Sequence, residues 1–137
     1  MIKWKEVYST GVKEIDDDHK RLFDILNGLE ESIINLRHED ISNLSSTLAD
    51  YSSKHFSHEM IEMINHNYPK ELIDQHKKEH DSFLNGVYEL ESKSMSLSFG
   101  MMMHTPNFLK DWVIGHLLGS DKEFAEFLKN EVKTSIK

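Results

Sequence analysis

The stretch KHFSHEMIEM, residues 54–63, places a histidine and a glutamate four positions apart, at His55 and Glu59. Residues at this spacing on an α-helix are rotated by only about 40° and lie one turn apart, so their side chains can bind the same metal ion. His58 follows His55 by three residues and therefore lies on the side of His55 that is away from Glu59. We therefore predict a metal-binding helix face formed by His55 and Glu59, which needs further ligands from other parts of the chain.

Four segments of the chain carry apolar residues at alternating spacings of three and four, which is typical of helices packed in a bundle. Short polar connections at residues 37–40 and 65–69 favour antiparallel neighbours. We therefore predict an all-α fold, an antiparallel up-down-up-down four-helix bundle with an extended N-terminal arm and a short C-terminal helix. The apolar positions are Leu22, Leu26, Leu29, Ile33 and Leu36; Ile41, Leu44, Leu48 and Tyr51; Ile73, Phe83, Val87 and Leu90; and Leu109, Trp112, Val113 and Leu117.

Prolines predict where the third and fourth helices begin. Pro69 suits the first position of the third helix, because the N–H that proline lacks is not needed there. Thr105 followed by Pro106 resembles a cap and a first-turn proline, so we expect the fourth helix to begin there. Residues 91–106 mix serines, a glycine and three methionines, and we predict a loop with at most about one helical turn.

A break is predicted after His116. Gly119 can end the fourth helix, and Ser120 can cap a last helix over residues 121–132. The inner face of that helix would carry Phe124, Phe127 and Leu128.

Composition excludes several classes of protein. The chain has 137 residues, enough for one domain with its own core. It has no cysteine, so a metal would be held by nitrogen and oxygen ligands. A net charge of −8 would repel a phosphate backbone, and we expect no nucleic-acid partner. No apolar stretch approaches the roughly 18 residues that span a bilayer, and no apolar leader follows Met1, so we expect a cytoplasmic protein without a membrane partner.

Five of the nine histidines fall on the inner faces of the predicted helices. A single inward histidine is more often a hydrogen-bonded packing residue than a ligand. Five of them near the same depth of one bundle would be buried imidazoles with few polar partners, unless they share a ligand. The five are His19, His55, His76, His80 and His116, and the other four, His38, His58, His66 and His104, are expected to be solvated.

Two familiar metal motifs do not fit this chain. Ferritin-like bundles use two Glu-x-x-His motifs and two further glutamates, and the chain contains no Glu-x-x-His. Zincins use His-Glu-x-x-His, but HEMIE, residues 58–62, has Glu62 where the second histidine is required. A metal centre would therefore be of another kind.

Four motifs together resemble those of hemerythrin and bacteriohemerythrin, and the resemblance covers residues 4–127. It implies a non-haem di-iron site that binds dioxygen reversibly, in a single hemerythrin-like domain over residues 1–137. The motifs are EIDDDHKRLF at 14–23, YSSKHFSHEMIEM at 51–63, YPKELIDQHKKEH at 68–80 and WVIGHLLGSD at 112–121.

The resemblance implies two iron ions per chain, joined by an oxo or hydroxo bridge and by the carboxylates of Glu59 and Asp121. His116 and Asp121 are five residues apart and would point away from each other on an uninterrupted helix, so the break at Gly119 would turn Asp121 back toward the metals. The implied terminal ligands are His76, His80 and His116 on one iron and His19 and His55 on the other.

The same resemblance implies how dioxygen is held. Dioxygen would bind at the iron held by His19 and His55 and remain there as hydroperoxide, and azide or other small anions would bind the oxidised form. Five neutral imidazoles and two carboxylates make the diferrous site less anionic than a four-carboxylate site, which favours stopping at peroxide over cleavage of the O–O bond. No protein partner is indicated.

Trp112, Val113 and Leu117 flank His116 and match the apolar oxygen pocket of the family. The same side chains also serve as ordinary bundle core, and a dry pocket would keep protons from the bound oxygen. We therefore expect a protein that carries, stores or senses dioxygen and is not an enzyme. The alternative is a di-iron enzyme that reduces peroxide or nitric oxide, or a protein of iron storage or detoxification.

Overall fold

The computed structural model describes residues 2–35, 37–93 and 99–136. For His38 and for residues 92–93, 99–106 and 131–136 it describes the backbone only. The described residues form helices and contain no strand, so the predicted all-α fold is confirmed. In chain order the helices are α1 (Lys13–Ile34), α2 (His38–Asn65), α3 (Lys70–Lys93), α4 (Phe99–His116), a π-helical segment (Leu117–Asp121) and α5 (Lys122–Ile136).

Helices α1 to α4 form the bundle. Both α1 and α3 pack against α2 and against α4, so each helix has two neighbours around one core. Burying a leucine or phenylalanine side chain stabilises the fold by about 1.5–3 kcal/mol. Burial of this core therefore determines which face each helix turns toward its neighbours. Its completely buried members include Leu26, Leu29, Ile33, Ile41, Leu48, Phe83, Val87, Leu90 and Leu109. Leu36, also predicted to face the core, lies outside the described residues.

The chain before α1 is an extended arm with one 3₁₀ turn at Glu6–Tyr8. The rings of Trp4 and Tyr8 pack on Phe23 of α1, with centroids 5.7 and 5.5 Å away. The Ile2 N–H donates to the Asn27 side-chain oxygen, and the Asn27 amide donates to the Ile2 carbonyl, both at 2.8 Å. These contacts tie the arm to α1, as the predicted architecture requires.

The predicted start of α4 is wrong. This helix begins at Phe99, so Thr105 and Pro106 lie inside it, and α3 continues to Lys93. Residues 94–98 of the predicted loop lie outside the described residues. A proline inside a helix removes one backbone hydrogen bond and disfavours, but does not exclude, a helical residue before it. In the part of the chain that the structure describes, no helix has the length and apolar character needed to cross a bilayer.

The predicted break after His116 is also wrong. Leu117–Asp121 is π-helical and continuous with α4 and α5, and Gly119 lies within it. The i→i+5 hydrogen bonds of a π segment wind the chain more slowly than those of an α-helix. Asp121 therefore comes round to the side of His116, which is the effect expected of a break. Ser120 lies within this continuous helix and not before its start, and its hydroxyl donates to Glu79 at 2.7 Å.

Helix α5 closes one end of the bundle. Phe124 is buried against Met63 and Tyr68, and Phe127 and Leu128 cover the same cluster, as their predicted inward positions require. The helix extends beyond the predicted limit at residue 132, to Ile136.

Candidate metal centre

The structure brings seven of the sequence-selected residues together in the bundle core. Each is at most 6% exposed. They form two groups of four in which the nitrogen and oxygen atoms lie within 4.8 Å of one another, and Glu59 belongs to both groups. The first group is Glu59, His76, His80 and His116, and the second is His19, His55, Glu59 and Asp121.

Glu59 faces both groups with different oxygens. Its Oε1 lies 2.6 Å from Nε2 of His55. Its Oε2 lies 3.4 Å from Nε2 of His80 and 4.0 Å from Nδ1 of His76. The carboxylate of Glu59 therefore stands between the two sets of imidazoles.

Asp121 does the same from the opposite wall of the core. Its Oδ2 lies 2.8 Å from Nε2 of His19. Its Oδ1 lies 3.0 Å from Nε2 of His116 and 4.0 Å from Nδ1 of His76. The π-helical segment makes this geometry possible, since it turns Asp121 and His116 toward the same point.

Asp18 orients His55 from outside the cluster. The Nδ1–H of His55 donates to Oδ2 of Asp18 at 2.8 Å, and the Tyr51 hydroxyl donates to Oδ1 at 2.9 Å. The hydrogen bond from His55 lowers the pKa of Asp18, which keeps this carboxylate ionised. Such partners fix the ring so that the other nitrogen, Nε2, faces the site.

Two other imidazoles are held by groups on α3 and the π segment. The carbonyl of Ser120 can only accept, so Nε2–H of His76 donates to it at 3.0 Å and Nδ1 faces inward. The Nδ1 of His116 lies 3.5 Å from Oε1 of Glu79. The sequence analysis missed Asp18, Glu79 and this carbonyl, although each of the two acids directly precedes an inward histidine, at His19 and His80.

In the metal-free protein, the histidines and carboxylates of the cluster shift one another's pKa values. Burial would lower the pKa of His55, but the nearby carboxylates of Glu59 and Asp18 raise that pKa to about 10. Burial likewise opposes the charge on His116, whose pKa Asp121 raises to about 10. Burial also favours the neutral acids, yet His55 lowers the pKa of Glu59, and His116 holds the pKa of Asp121 well below its ordinary value.

Most of the inward atoms have no hydrogen-bond partner. Contacts such as the one from His55 to Glu59 are short but not aligned as hydrogen bonds. A buried polar atom without a partner costs about 1–3 kcal/mol, so a cluster of them needs a ligand. Imidazole and carboxylate donors suit iron among other transition metals. The atoms without partners include Nε2 of His55, His80 and His116, Nδ1 of His76, both carboxylate oxygens of Glu59 and Oδ1 of Asp121.

Loading with ferrous iron is expected to release protons. His55 and His116 hold a proton at about pH 7 in the metal-free protein, since the pKa of each is raised to about 10. A metal binds the neutral imidazole, so each of these histidines should lose about one proton. Because protons compete with iron for both nitrogens, the affinity for each iron should rise from about pH 7 to 9 by up to about tenfold per pH unit, and the overall constant for loading both irons by up to about a hundredfold. Anaerobic calorimetry in buffers of different ionisation enthalpy counts the protons, and no release near neutral pH would contradict the expectation.

The three predicted pocket residues lie on the His116 side of the cluster. The ring of Trp112 stacks on that of His116, with centroids 4.5 Å apart and planes at 17°. Val113 and Leu117 are buried in the same core. An apolar wall therefore borders the metal-binding atoms here.

The remaining histidines belong to neither group. His58 is exposed on α2. His66 follows α2, and its Nε2 lies 3.3 Å from Oε2 of Glu62. The side chains of His38 and His104 lie outside the described part of the structure.

A helical bundle whose core joins two imidazole groups through shared carboxylates defines a metal-binding bundle protein. The family model described as the hemerythrin HHE cation binding domain matches residues 10–128. The chain therefore belongs to the hemerythrin family.

Curated relatives and solved structures agree with this assignment. The chain is 28% identical to the bacteriohemerythrin of Clostridium acetobutylicum over 131 residues, which are 92% of this chain and 100% of the relative. It is 27% identical to hemerythrin subunit 1 of Golfingia vulgaris over 121 residues, 88% of each chain. The crystal structure of a wild-type hemerythrin superposes with a TM-score of 0.79 at 27% identity, covering 92% of this chain and 96% of the other.

The family defines the general function. Hemerythrins bind oxygen through non-haem iron and are not enzymes. The prediction of an oxygen-binding protein rather than an enzyme is thereby confirmed, and the cluster of histidines and carboxylates is consistent with a di-iron site.

Proposed function

We propose that this protein binds dioxygen reversibly at two irons held by the seven clustered residues. The observation that carries the proposal is the position of the two carboxylates. Glu59 and Asp121 each direct one oxygen to the three-histidine side and the other to the two-histidine side. If Glu59 and Asp121 each bridged the same two metal ions, every one of their four oxygens would bind a metal. In this arrangement His76, His80 and His116 would hold one iron, and His19 and His55 the other.

The unequal number of histidines supports a binding position on one side. Both irons would share the carboxylates and an oxo or hydroxo bridge, but the side of His19 and His55 has one protein ligand fewer. Metal sites that bind a small molecule keep such an open position, whereas structural sites are closed. We place dioxygen on this side, where the two irons would supply two electrons and the hydroxo bridge one proton to hold it as hydroperoxide.

The protein's own groups support release rather than reaction of the oxygen. Neutral imidazoles keep the site less anionic than a four-carboxylate site and disfavour O–O cleavage. Trp112, Val113 and Leu117 would make the wall of the centre beside His116 apolar and limit the access of water and protons to bound oxygen from that side. Carriage, storage and sensing of dioxygen all use this chemistry, and azide or another small anion would take the same position in the oxidised protein.

The proposal predicts two irons per chain and a reversible spectral change. Anaerobic reduced protein should be colourless and should gain a peroxide-to-iron absorption band on exposure to dioxygen, which is lost again under vacuum. Elemental analysis gives the metal content, and one metal per chain, or zinc after growth in excess iron, would contradict the proposal. Because iron stabilises only the folded arrangement of its ligands, its removal should also lower the melting temperature.

A further inference from the structure

A surface cleft of about 350 Å³ leads to the metal cluster. Its walls include Val12 and Ile15 near the start of α1 and Leu128 of α5. Its inner lining includes His55 and Glu59, both at least nine-tenths buried, whose Nε2 and carboxylate oxygens lack hydrogen-bond partners. The cleft thus joins solvent to metal-binding atoms that have no partner in the protein.

The outer part of the cleft is acidic. Glu14 of α1 and Glu62 of α2 are exposed and line it from two sides. Asp18 lies deeper, 39% exposed, and its carboxylate accepts the hydrogen bond from His55. Clustered charges of one sign in a cleft concentrate ions of the opposite sign and can raise association rates tenfold or more. Negative charge therefore continues from the surface to the carboxylate of Glu59.

A second groove, of about 470 Å³ between α2 and α3, reaches the cluster at His80 but is less suited to a cation. The ring of Phe56 stacks on His80 with centroids 3.8 Å apart and covers that imidazole. The charged residues that line this groove, Lys77 and Asp81, are of opposite sign. Neither the cleft nor the groove is lined by Trp112, Val113 or Leu117.

We propose that ferrous iron reaches and leaves the metal centre through the acidic cleft between α1, α2 and α5. The proposal rests on the proposed function, since it requires iron at the cluster. Glu14 and Glu62 draw the cation to the opening, and Asp18 and Glu59 conduct it inward. Dioxygen is neutral, and its binding is independent of the charges at the opening.

Release of iron from the reduced, loaded protein into an excess of a coloured ferrous chelator tests the charge of the cleft. Since Glu14 and Glu62 lie between the bound ion and solvent, the double variant Glu14→Lys/Glu62→Lys raises the barrier to a departing cation. Release should slow by about threefold or more at low salt, and the difference should shrink as salt screens the charges. The matched control, Asp24→Lys/Asp50→Lys, changes the net charge equally at exposed sites on the same two helices and should release iron at the parent rate.

A second pair of variants tests the passage by size. Leu128→Trp narrows the acidic cleft, and Leu84→Trp narrows the groove between α2 and α3. Release should slow by about tenfold in Leu128→Trp and remain unchanged in Leu84→Trp. Should the tryptophan at 128 disturb α5, the charge variants decide the result, because both of their sites are exposed.

Two outcomes overturn the inference. One is release at the parent rate in both Glu14→Lys/Glu62→Lys and Leu128→Trp, and the other is slow release in Leu84→Trp, which assigns the passage to the second groove. Either result leaves the proposed function intact if the parent carries two irons and binds dioxygen. A parent without iron contradicts the proposed function itself, and this is seen before any release rate is measured.

Discussion

Glu59→Ala is expected to destroy the iron pair, because this one side chain faces both groups of histidines. Its two oxygens lie 2.6 Å from His55 and 3.4 Å from His80, on opposite sides of the cluster. Alanine removes both oxygens, and the histidine groups lose one of the two carboxylates that connect them. Iron content should fall from two per chain to one or none, with loss of the bridged absorption spectrum and of dioxygen binding. Elemental analysis and absorption spectroscopy of the purified variant measure this.

Neighbouring residues on the same helix provide matched controls. His55→Ala should also lose iron, whereas His58→Ala should keep both irons and the parent spectrum, since His58 is exposed and belongs to neither ligand group. Glu62→Ala, one turn after Glu59 and exposed, should likewise keep two irons. An empty site in His58→Ala with a full site in His55→Ala would mean that α2 presents its other face to the metal.

The bundle could be predicted because its core pattern is regular. Apolar residues at spacings of three and four define one face per helix, and burial of that face determines how each helix is rotated. The histidines could be placed on these faces by the same counting, and all five are buried, each at most 6% exposed. Which of them share a metal followed only from resemblance to the hemerythrin motifs, because spacing along a helix does not determine contacts between helices.

The partners that hold the imidazoles from outside were not predicted. The Ser120 carbonyl that accepts the His76 hydrogen bond is a backbone group, so residue type carries no information about it. Asp18 and Glu79 received no role from the sequence, because their roles depend on how α1 meets α2 and how α3 meets the π segment. A general lesson is that an acid beside an inward histidine is worth testing as its orienting partner.

The π-helical segment shows a further limit of the sequence. A spacing of five between His116 and Asp121 indicated that a regular α-helix could not point both inward, and this geometric requirement was correct. Gly119 suggested that a helix break turns Asp121 inward, but the π segment turns it inward without ending the helix. A π segment adds one residue to a helical turn, and such segments frequently lie at functional sites.

Leu117→Ala is expected to accelerate autoxidation, the conversion of the oxygenated protein to the oxidised form. Leu117 is 1% exposed, follows His116 and belongs to the same apolar core as Val113. By the proposed function it covers the open position of the iron held by His19 and His55. Alanine leaves space for water, which brings protons to the bound oxygen and allows it to leave as a reduced species.

The decay should be about tenfold faster, which corresponds to about 1.4 kcal/mol less of activation barrier. Leu117→Glu should be faster still, because it places a proton donor or ligand beside the oxygen. Both variants should retain two irons, since Leu117 supplies no ligand atom, although loss of a buried leucine side chain should destabilise the fold by about 2–5 kcal/mol. Stopped-flow mixing of the reduced protein with dioxygen, followed by decay of the peroxide-to-iron band, measures the rate.

Leu118→Ala is the matched control, since this leucine is the next residue and is 40% exposed outside the core. It should autoxidise at the parent rate. If Leu117→Ala and Leu117→Glu also decay at the parent rate, Leu117 does not guard the open position. Protection from water would then come from other side chains around His116, and Trp112, whose ring stacks on that imidazole, would be the next residue to replace.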